Sequence, residues 1–142
     1  MHNQIIVYNE NDSQILARHI ASNIRSGDIL IFEGEIGAGK SFFCRKIIQY
    51  LCGNEIRVIS PTFNLLQTYQ CKTFMIYHYD LYRIQCPSEL YELGFEDALS
   101  NNIVLIEWPN VALSLLPIND ITTVKIKIID ETSRYVTYTI KK

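Results

Sequence analysis

No apolar run in this chain of 142 residues approaches the ~20 residues that cross a bilayer, and no lipidation box is visible. There is no surplus of positive charge either. Thirteen Lys and Arg against fifteen Asp and Glu leave a net charge of −2. That argues against a broad basic surface that grips a nucleic-acid backbone directly, and leaves contact with RNA through a partner as the available route. The four cysteines, at 44, 52, 71 and 86, include no C-x-x-C pair and no tight Cys/His cluster, so no zinc spacing is present. The N-terminus is polar, and no secretory leader is expected. The thiols are therefore expected to be reduced, mostly buried and structural, in a cytoplasmic protein. No Pro/Gly/Ser-rich linker, repeat or low-complexity block divides the sequence, so a single domain over 1–142 is expected.

What is present suits an ordinary globular core: 48% of residues are apolar and 20% charged. Residues 5–8 are short and β-prone. Asp12 and Ser13 are positioned to cap a helix in which Ile15, Leu16, His19, Ile20 and Ile24 recur at helical spacing, with Gly27 and Asp28 as its stop. Ile29, Leu30, Ile31 and Phe32 form a continuous apolar run between turn residues, the pattern of a strand buried on both faces. Residues 42–51 read as a helix closed by Gly53. Residues 63–69 and 74–79 read as two strands joined by a polar turn. Pro87, Ser88 and Glu89 open a short helix that Gly94 punctuates, and residues 103–106 form a second buried-strand run ending in Glu107. Residues 124–129 and 135–140 predict a C-terminal hairpin. Together these elements predict an α/β fold of the P-loop NTPase type. Its sheet would be central, mixed and mostly parallel, with about seven strands, flanked by helices and ending in the C-terminal hairpin.

Residues 34–41 read GEIGAGKS, matching G-x-x-x-x-G-K-[ST]. Gly34, Gly37 and Gly39 permit left-handed backbone angles and leave no Cβ between main chain and phosphate. The amides of Glu35, Ile36, Gly37, Ala38, Gly39, Lys40, Ser41 and Phe42 are then the expected phosphate cradle, aided by the positive end of the following helix. Lys40 is expected to reach the β- and γ-phosphates of ATP or ADP, and the Ser41 hydroxyl to sit on Mg²⁺. A glycine-rich turn that binds nothing would not need a buried strand before it and an amphipathic helix after it. A P-loop site also needs an acid at a neighbouring strand end, and two are available, Asp80 and Glu107. One would ligate the metal or its water shell while the other orients the attacking water; the sequence does not say which is which.

With the loop placed, four blocks in order resemble the bacterial TsaE (YjeE) family of small P-loop ATPases. They are GEIGAGKS, then Ser60, Pro61, Thr62 and Phe63, then His78, Tyr79, Asp80, Leu81, Tyr82 and Arg83, and finally Glu107 and Trp108. The stretch from 89 to 97 is also similar. The resemblance implies that Ser60, Pro61 and Thr62 form a switch-like segment near the γ-phosphate and that Asp80 is the Walker B-like carboxylate. It implies that Glu107 is a second acid for Mg²⁺ or water, and that Trp108 supports the nucleotide site or couples it to a partner. His78 reads more simply as a hydrogen-bonded structural residue than as a catalyst. Arg83 is a conceivable internal arginine finger. Arg134, together with the residues opening the first helix, is a candidate contact to the nucleoside. Ser41 stands where the family usually has Thr, which keeps the metal-binding hydroxyl. Phe42 replaces a hydroxyl residue often found there, so weaker nucleotide affinity is expected; Asn64 stands where Thr is common.

The function implied is ATP binding and slow hydrolysis that resets the TsaB–TsaD pair between rounds of threonylcarbamoyladenosine (t6A) modification of adenosine 37 of tRNA. The tRNA would be contacted only indirectly and no membrane is involved. A P-loop small-molecule kinase is the alternative, although the scattered arginines and short inserts show no lid. A GTPase switch would need an N-K-x-D element, which is absent. A P-loop relic serving only as a structural subunit is the remaining reading.

Overall fold

The apolar run that opens at Ile29 becomes β2 (Ile29–Glu33), and its side chains are divided between two cores as the pleat requires. Leu30 and Phe32 point to one face of the sheet, and Ile29 and Ile31 to the other. The second run, β5 (Ile103–Glu107), is buried throughout and alternates in the same way. These two strands pair in parallel at the middle of the sheet, with Phe32 opposite Glu107. The computed structural model describes residues 2–117 and 120–140.

The other strands are β1 (His2–Val7), β3 (Leu66–Gln70), β4 (Met75–Asp80), β6 (Ile121–Ile128) and β7 (Arg134–Thr139). Their order across the sheet is β1-β7-β6-β2-β5-β4-β3. The contiguous strands β6, β2, β5 and β4 run parallel, and antiparallel partners close the sheet at either side. This is the expected mixed, seven-stranded sheet, and β6 with β7 is the expected C-terminal strand pair. One face is covered by α1 (Glu10–Ala21) and α2 (Lys40–Cys52), whose Leu16, Ile20, Phe43, Ile47 and Ile48 are buried. Each such side chain contributes roughly 1.5–3 kcal/mol by leaving water. The opposite face is covered by the short helices α3 (Glu89–Glu92) and α4 (Phe95–Ala98) and by a 3₁₀ segment at Pro109–Leu115. Among the described residues, no helix is long and apolar enough to cross a membrane.

Beyond shifts of a few residues at other ends, such as β1 over 2–7 for the expected 5–8 and β6 over 121–128 for 124–129, three departures have a visible cause. The first helix begins at Glu10 rather than after Asp12 and Ser13, because Asn9 is the cap: its Oδ1 accepts the Asp12 amide at 2.8 Å. Asp12 lies inside the helix and reaches back to the amide of Tyr8 at 3.1 Å. The helix ends at Ala21, ahead of Ile24 and of the expected stop at Gly27, where the Ser22 hydroxyl and Asn23 amide cap the carbonyl of His19. Strand β3 starts at Leu66, not 63. The preceding residues form a turn closed by the Leu65 amide on the Pro61 carbonyl, with Leu65 left-handed at φ 68°.

The cysteine expectation also changes. Cys52, at the end of α2, and Cys71, just after β3, are disulfide-bonded, with Cα atoms 4.9 Å apart; Cys44 and Cys86 are free. The sheet brings together residues 19 apart in sequence, a proximity that sequence spacing alone does not reveal. Cys44 is buried, whereas Cys86 is exposed and its thiol is lowered by hydrogen bonding to Ser88. Titration with a thiol reagent in the absence of reductant should therefore label Cys86 alone in the native protein and two thiols after denaturation. Four thiols after denaturation would show that the Cys52–Cys71 pair is open.

Candidate functional site

The P-loop, Asp80 and Glu107 emerge at the carboxyl ends of the parallel strands β2, β4 and β5, where ligands of open α/β sheets bind, and Thr62 reaches them from the turn before β3. The P-loop leaves β2 and enters α2. Gly34 is its tightest point: a Cβ there would lie 2.6 Å from the carbonyl oxygen of Ile126 on β6. Further along, Gly37 and Gly39 have φ of 84° and 112°, left-handed values that side chains rarely adopt, and a Cβ at either would point into open space. The backbone at these two glycines therefore borders open space, while the Ala38 amide donates to the Glu35 carbonyl at 3.0 Å. Ala38 is buried beneath the loop, whereas Glu35 and Ile36 are exposed on its outer rim.

Parallel pairing of β4 with β5 puts Asp80 directly beside Glu107 in register. Because side chains alternate, Ile76, His78 and Asp80 share a face with Leu105 and Glu107, the face covered by α2. The first turn of α2 meets them there. The Ser41 hydroxyl donates to Glu107 Oε1 at 2.9 Å, and His78 Nε2 meets Glu107 Oε2 at 2.7 Å. Asp80 is held from the opposite side, Oδ2 by the Thr62 hydroxyl at 3.3 Å and Oδ1 by the Tyr82 amide at 3.1 Å. Thr62 in turn shares a 2.8 Å hydrogen bond with the Ser60 hydroxyl, so the switch-like segment is tied to the acid pair.

Lys40 lies almost wholly buried beside these carboxylates. Burial lowers its pKa, opposed by the charges of Glu107 and Asp80. Its ammonium donates to the carbonyl oxygens of Gly34 and Glu35 and sits 3.9 Å from the centre of the Trp108 ring. Trp108 packs against Tyr82, with ring centres 4.8 Å apart, and is left-handed at φ 57° immediately before Pro109. Such a conformation costs on the order of 1–3 kcal/mol. Lys40, Ser41, Thr62, Asp80, Glu107 and Trp108 all line one cavity of about 450 Å³.

Arg134 lies outside that cavity. It lines a second one, of about 720 Å³, with Phe42 and the residues that open α1, among them Asn9 and Glu10. Its guanidinium donates to the loop carbonyls of Ala38 at 3.0 Å and Gly37 at 3.3 Å, and to those of Asp130 and Ser133. It straps the P-loop to the β6–β7 turn. Arg83 also grips backbone, donating to the carbonyls of Thr62 at 2.7 Å and Phe63 at 2.9 Å. Sequence reading did not single out Cys44, which lies under the loop within reach of Glu107 and whose thiol is pushed well up by burial. Its place four residues after Lys40, one helical turn on, was the available signal.

Comparison with known proteins places this geometry. The sequence profile of the family described as "Threonylcarbamoyl adenosine biosynthesis protein TsaE" matches residues 7–136. The chain belongs to the TsaE family. The TsaE protein of Rickettsia felis is 48% identical over 130 residues, covering 92% of this chain and 75% of that one. The TsaE of Rickettsia bellii is 45% identical, with 94% and 92% covered, and that of Bacillus subtilis is 31% identical, with 92% and 81% covered. A crystal structure of YdiB from Bacillus subtilis superposes on the whole chain and on 87% of its own, with a TM-score of 0.80 at 23% identity, which speaks for the fold. The TsaE family is thus named for threonylcarbamoyladenosine biosynthesis, and all four blocks of this chain's sequence contribute to the cavity of about 450 Å³ beside its P-loop.

The close approach at Gly34 generates a direct test. Gly34→Ala should destabilise the fold by roughly 1–3 kcal/mol, since two backbone segments must separate. A lower urea midpoint with an unchanged slope is expected, and an unchanged midpoint would contradict the packing described.

Proposed function

We propose that the chain binds ATP and ADP with Mg²⁺ in its P-loop and hydrolyses ATP slowly. Hydrolysis would act on the TsaD and TsaB proteins in t6A modification of tRNA, which it would meet only through that complex. The observation that carries this reading is the juxtaposition of Ser41 with the register-paired Asp80 and Glu107, next to a loop whose glycines open onto a cavity. A hydroxyl and two carboxylates are the hard oxygen donors that suit Mg²⁺. When bound, Mg²⁺ would neutralise charge on the terminal phosphates.

The chain's own residues would do the rest. Lys40, now satisfied by the loop's own carbonyls, would exchange them for phosphate oxygens. The amides of residues 35–42 would hold the phosphate chain, and Thr62 would carry the state of the acid pair into the segment that Arg83 grips. Of Asp80 and Glu107, the one not committed to the metal would orient the water. Phe42 and Arg134 border the second cavity, which lies on the side of the loop where the nucleoside would emerge. Both arginines near the site are committed to backbone carbonyls. A charge supplied in trans would therefore have much to add, which supports partner stimulation.

The purified chain should turn over ATP slowly, discriminate against GTP, and be strongly stimulated by its cognate TsaB–TsaD pair. Lys40→Ala should reduce turnover by about a hundredfold or more, while Asp80→Asn and Glu107→Gln should lower kcat more than they raise KM. Normal turnover by Lys40→Ala would sink the P-loop assignment, and phosphate transfer to a small acceptor without stimulation would favour a kinase.

A further inference from the structure

The underside of the P-loop helix holds two further ligating side chains, Cys44 and His78, that the nucleotide chemistry proposed above leaves unused, gathered around Glu107, which it does use. His78 and Glu107 project from adjacent parallel strands toward α2, and Cys44 descends from that helix onto them. One ligand atom from each of Cys44, His78 and Glu107 lies within 4.8 Å of the other two, and all three residues are buried. The residues retain 0%, 1% and 2% of their exposure, respectively. His78 Nε2 meets Glu107, but His78 Nδ1 has no hydrogen-bond partner, which is unusual for a buried ring nitrogen.

A sulfur, an imidazole nitrogen and a carboxylate oxygen make a mixed donor set that suits a borderline-soft cation with tetrahedral preference. Mg²⁺ would be served instead by the all-oxygen side, where Ser41 and Asp80 lie with Oε1 of the same carboxylate. Glu107 divides the two environments, with Oε1 facing Ser41 and Oε2 facing His78.

We propose that Cys44, His78 and Glu107 form a binding site for a zinc-class divalent cation, distinct from the Mg²⁺ position and joined to it through Glu107. Zinc bonds of about 2.0–2.3 Å require the His78–Glu107 pair, now 2.7 Å apart, to open by roughly half an ångström so that the ion replaces their hydrogen bond, and the third ligand atom to close on it from within 4.8 Å. The cavity bordered by Ser41 and Glu107 is the entry route. On binding, Cys44 releases its thiol proton to solvent and nothing is oxidised or reduced. The fourth position is left for water. Occupancy fixes Glu107 and places positive charge against its carboxylate, so zinc at stoichiometric concentration inhibits ATP hydrolysis. That consequence rests on the ATPase reading, but binding itself does not.

The test uses Co²⁺ as the zinc surrogate on the purified, nucleotide-free chain. One equivalent should produce a near-ultraviolet thiolate-to-cobalt absorption with visible bands of a tetrahedral ion, and one equivalent of Zn²⁺ should abolish both. Cys44→Ser should lose the thiolate band, Cys86→Ser should keep it, and His78→Gln should weaken Co²⁺ binding at least tenfold. Absence of the band from the wild-type chain, or its persistence in Cys44→Ser, would overturn the site irrespective of whether the protein hydrolyses ATP. If the spectra are as expected and Zn²⁺ leaves hydrolysis unchanged, the ion site stands and its inhibitory role falls.

Discussion

A carboxylate carried into the interior at the end of a central strand must be met by donors, and Glu107 imposes that requirement on everything around it. It retains 2% of its exposure, and removing one member of such a buried arrangement typically costs about 3–5 kcal/mol. Ser41 supplies one partner from the first turn of α2, and His78 supplies another from β4. The start of α2, the end of β4 and the end of β5 are thereby drawn to one point. Lys40 follows because it precedes Ser41, and Asp80 follows because parallel register sets it beside Glu107. The candidate site is in this sense a consequence of how one buried charge is satisfied.

The loop that faces this point is held from two sides. Arg134 fastens the carbonyls of Gly37 and Ala38 from β7, while Lys40 draws in those of Gly34 and Glu35 under the Trp108 ring. The first restraint engages carbonyls of the loop rather than its amides. In the proposed nucleotide complex the second would be exchanged as the ammonium turns to phosphate. Trp108 is connected to this exchange by its contact with Lys40 and by its left-handed backbone, which only the surrounding packing maintains. If Lys40 moves to phosphate as proposed, Trp108 loses this contact.

The buried strands, the P-loop and the acids at strand ends were legible in the sequence because each has a local signature: a continuous apolar run, a glycine spacing, a carboxylate where the run stops. Family resemblance added Thr62, Trp108 and Arg134 as candidates. What sequence could not convey was long-range geometry. Cys52 and Cys71 meet only because the end of α2 lies over β3. Arg134 was a candidate for the nucleoside, and only the hairpin's position shows its guanidinium on the loop's carbonyls. The start of the first helix was misplaced because Asn9 and Asp12 are both good caps, and the choice between them depends on which side chain reaches an open amide.

The central claim is that Ser41, Asp80 and Glu107 make ATP binding depend on a divalent cation, and calorimetric titration of the chain with ATP, with and without Mg²⁺, tests it most directly. The account predicts that Mg²⁺ tightens ATP binding about tenfold or more in the wild-type chain, and that Ser41→Ala loses most of that gain. Equal affinity with and without Mg²⁺, or no ATP binding at all, would contradict it.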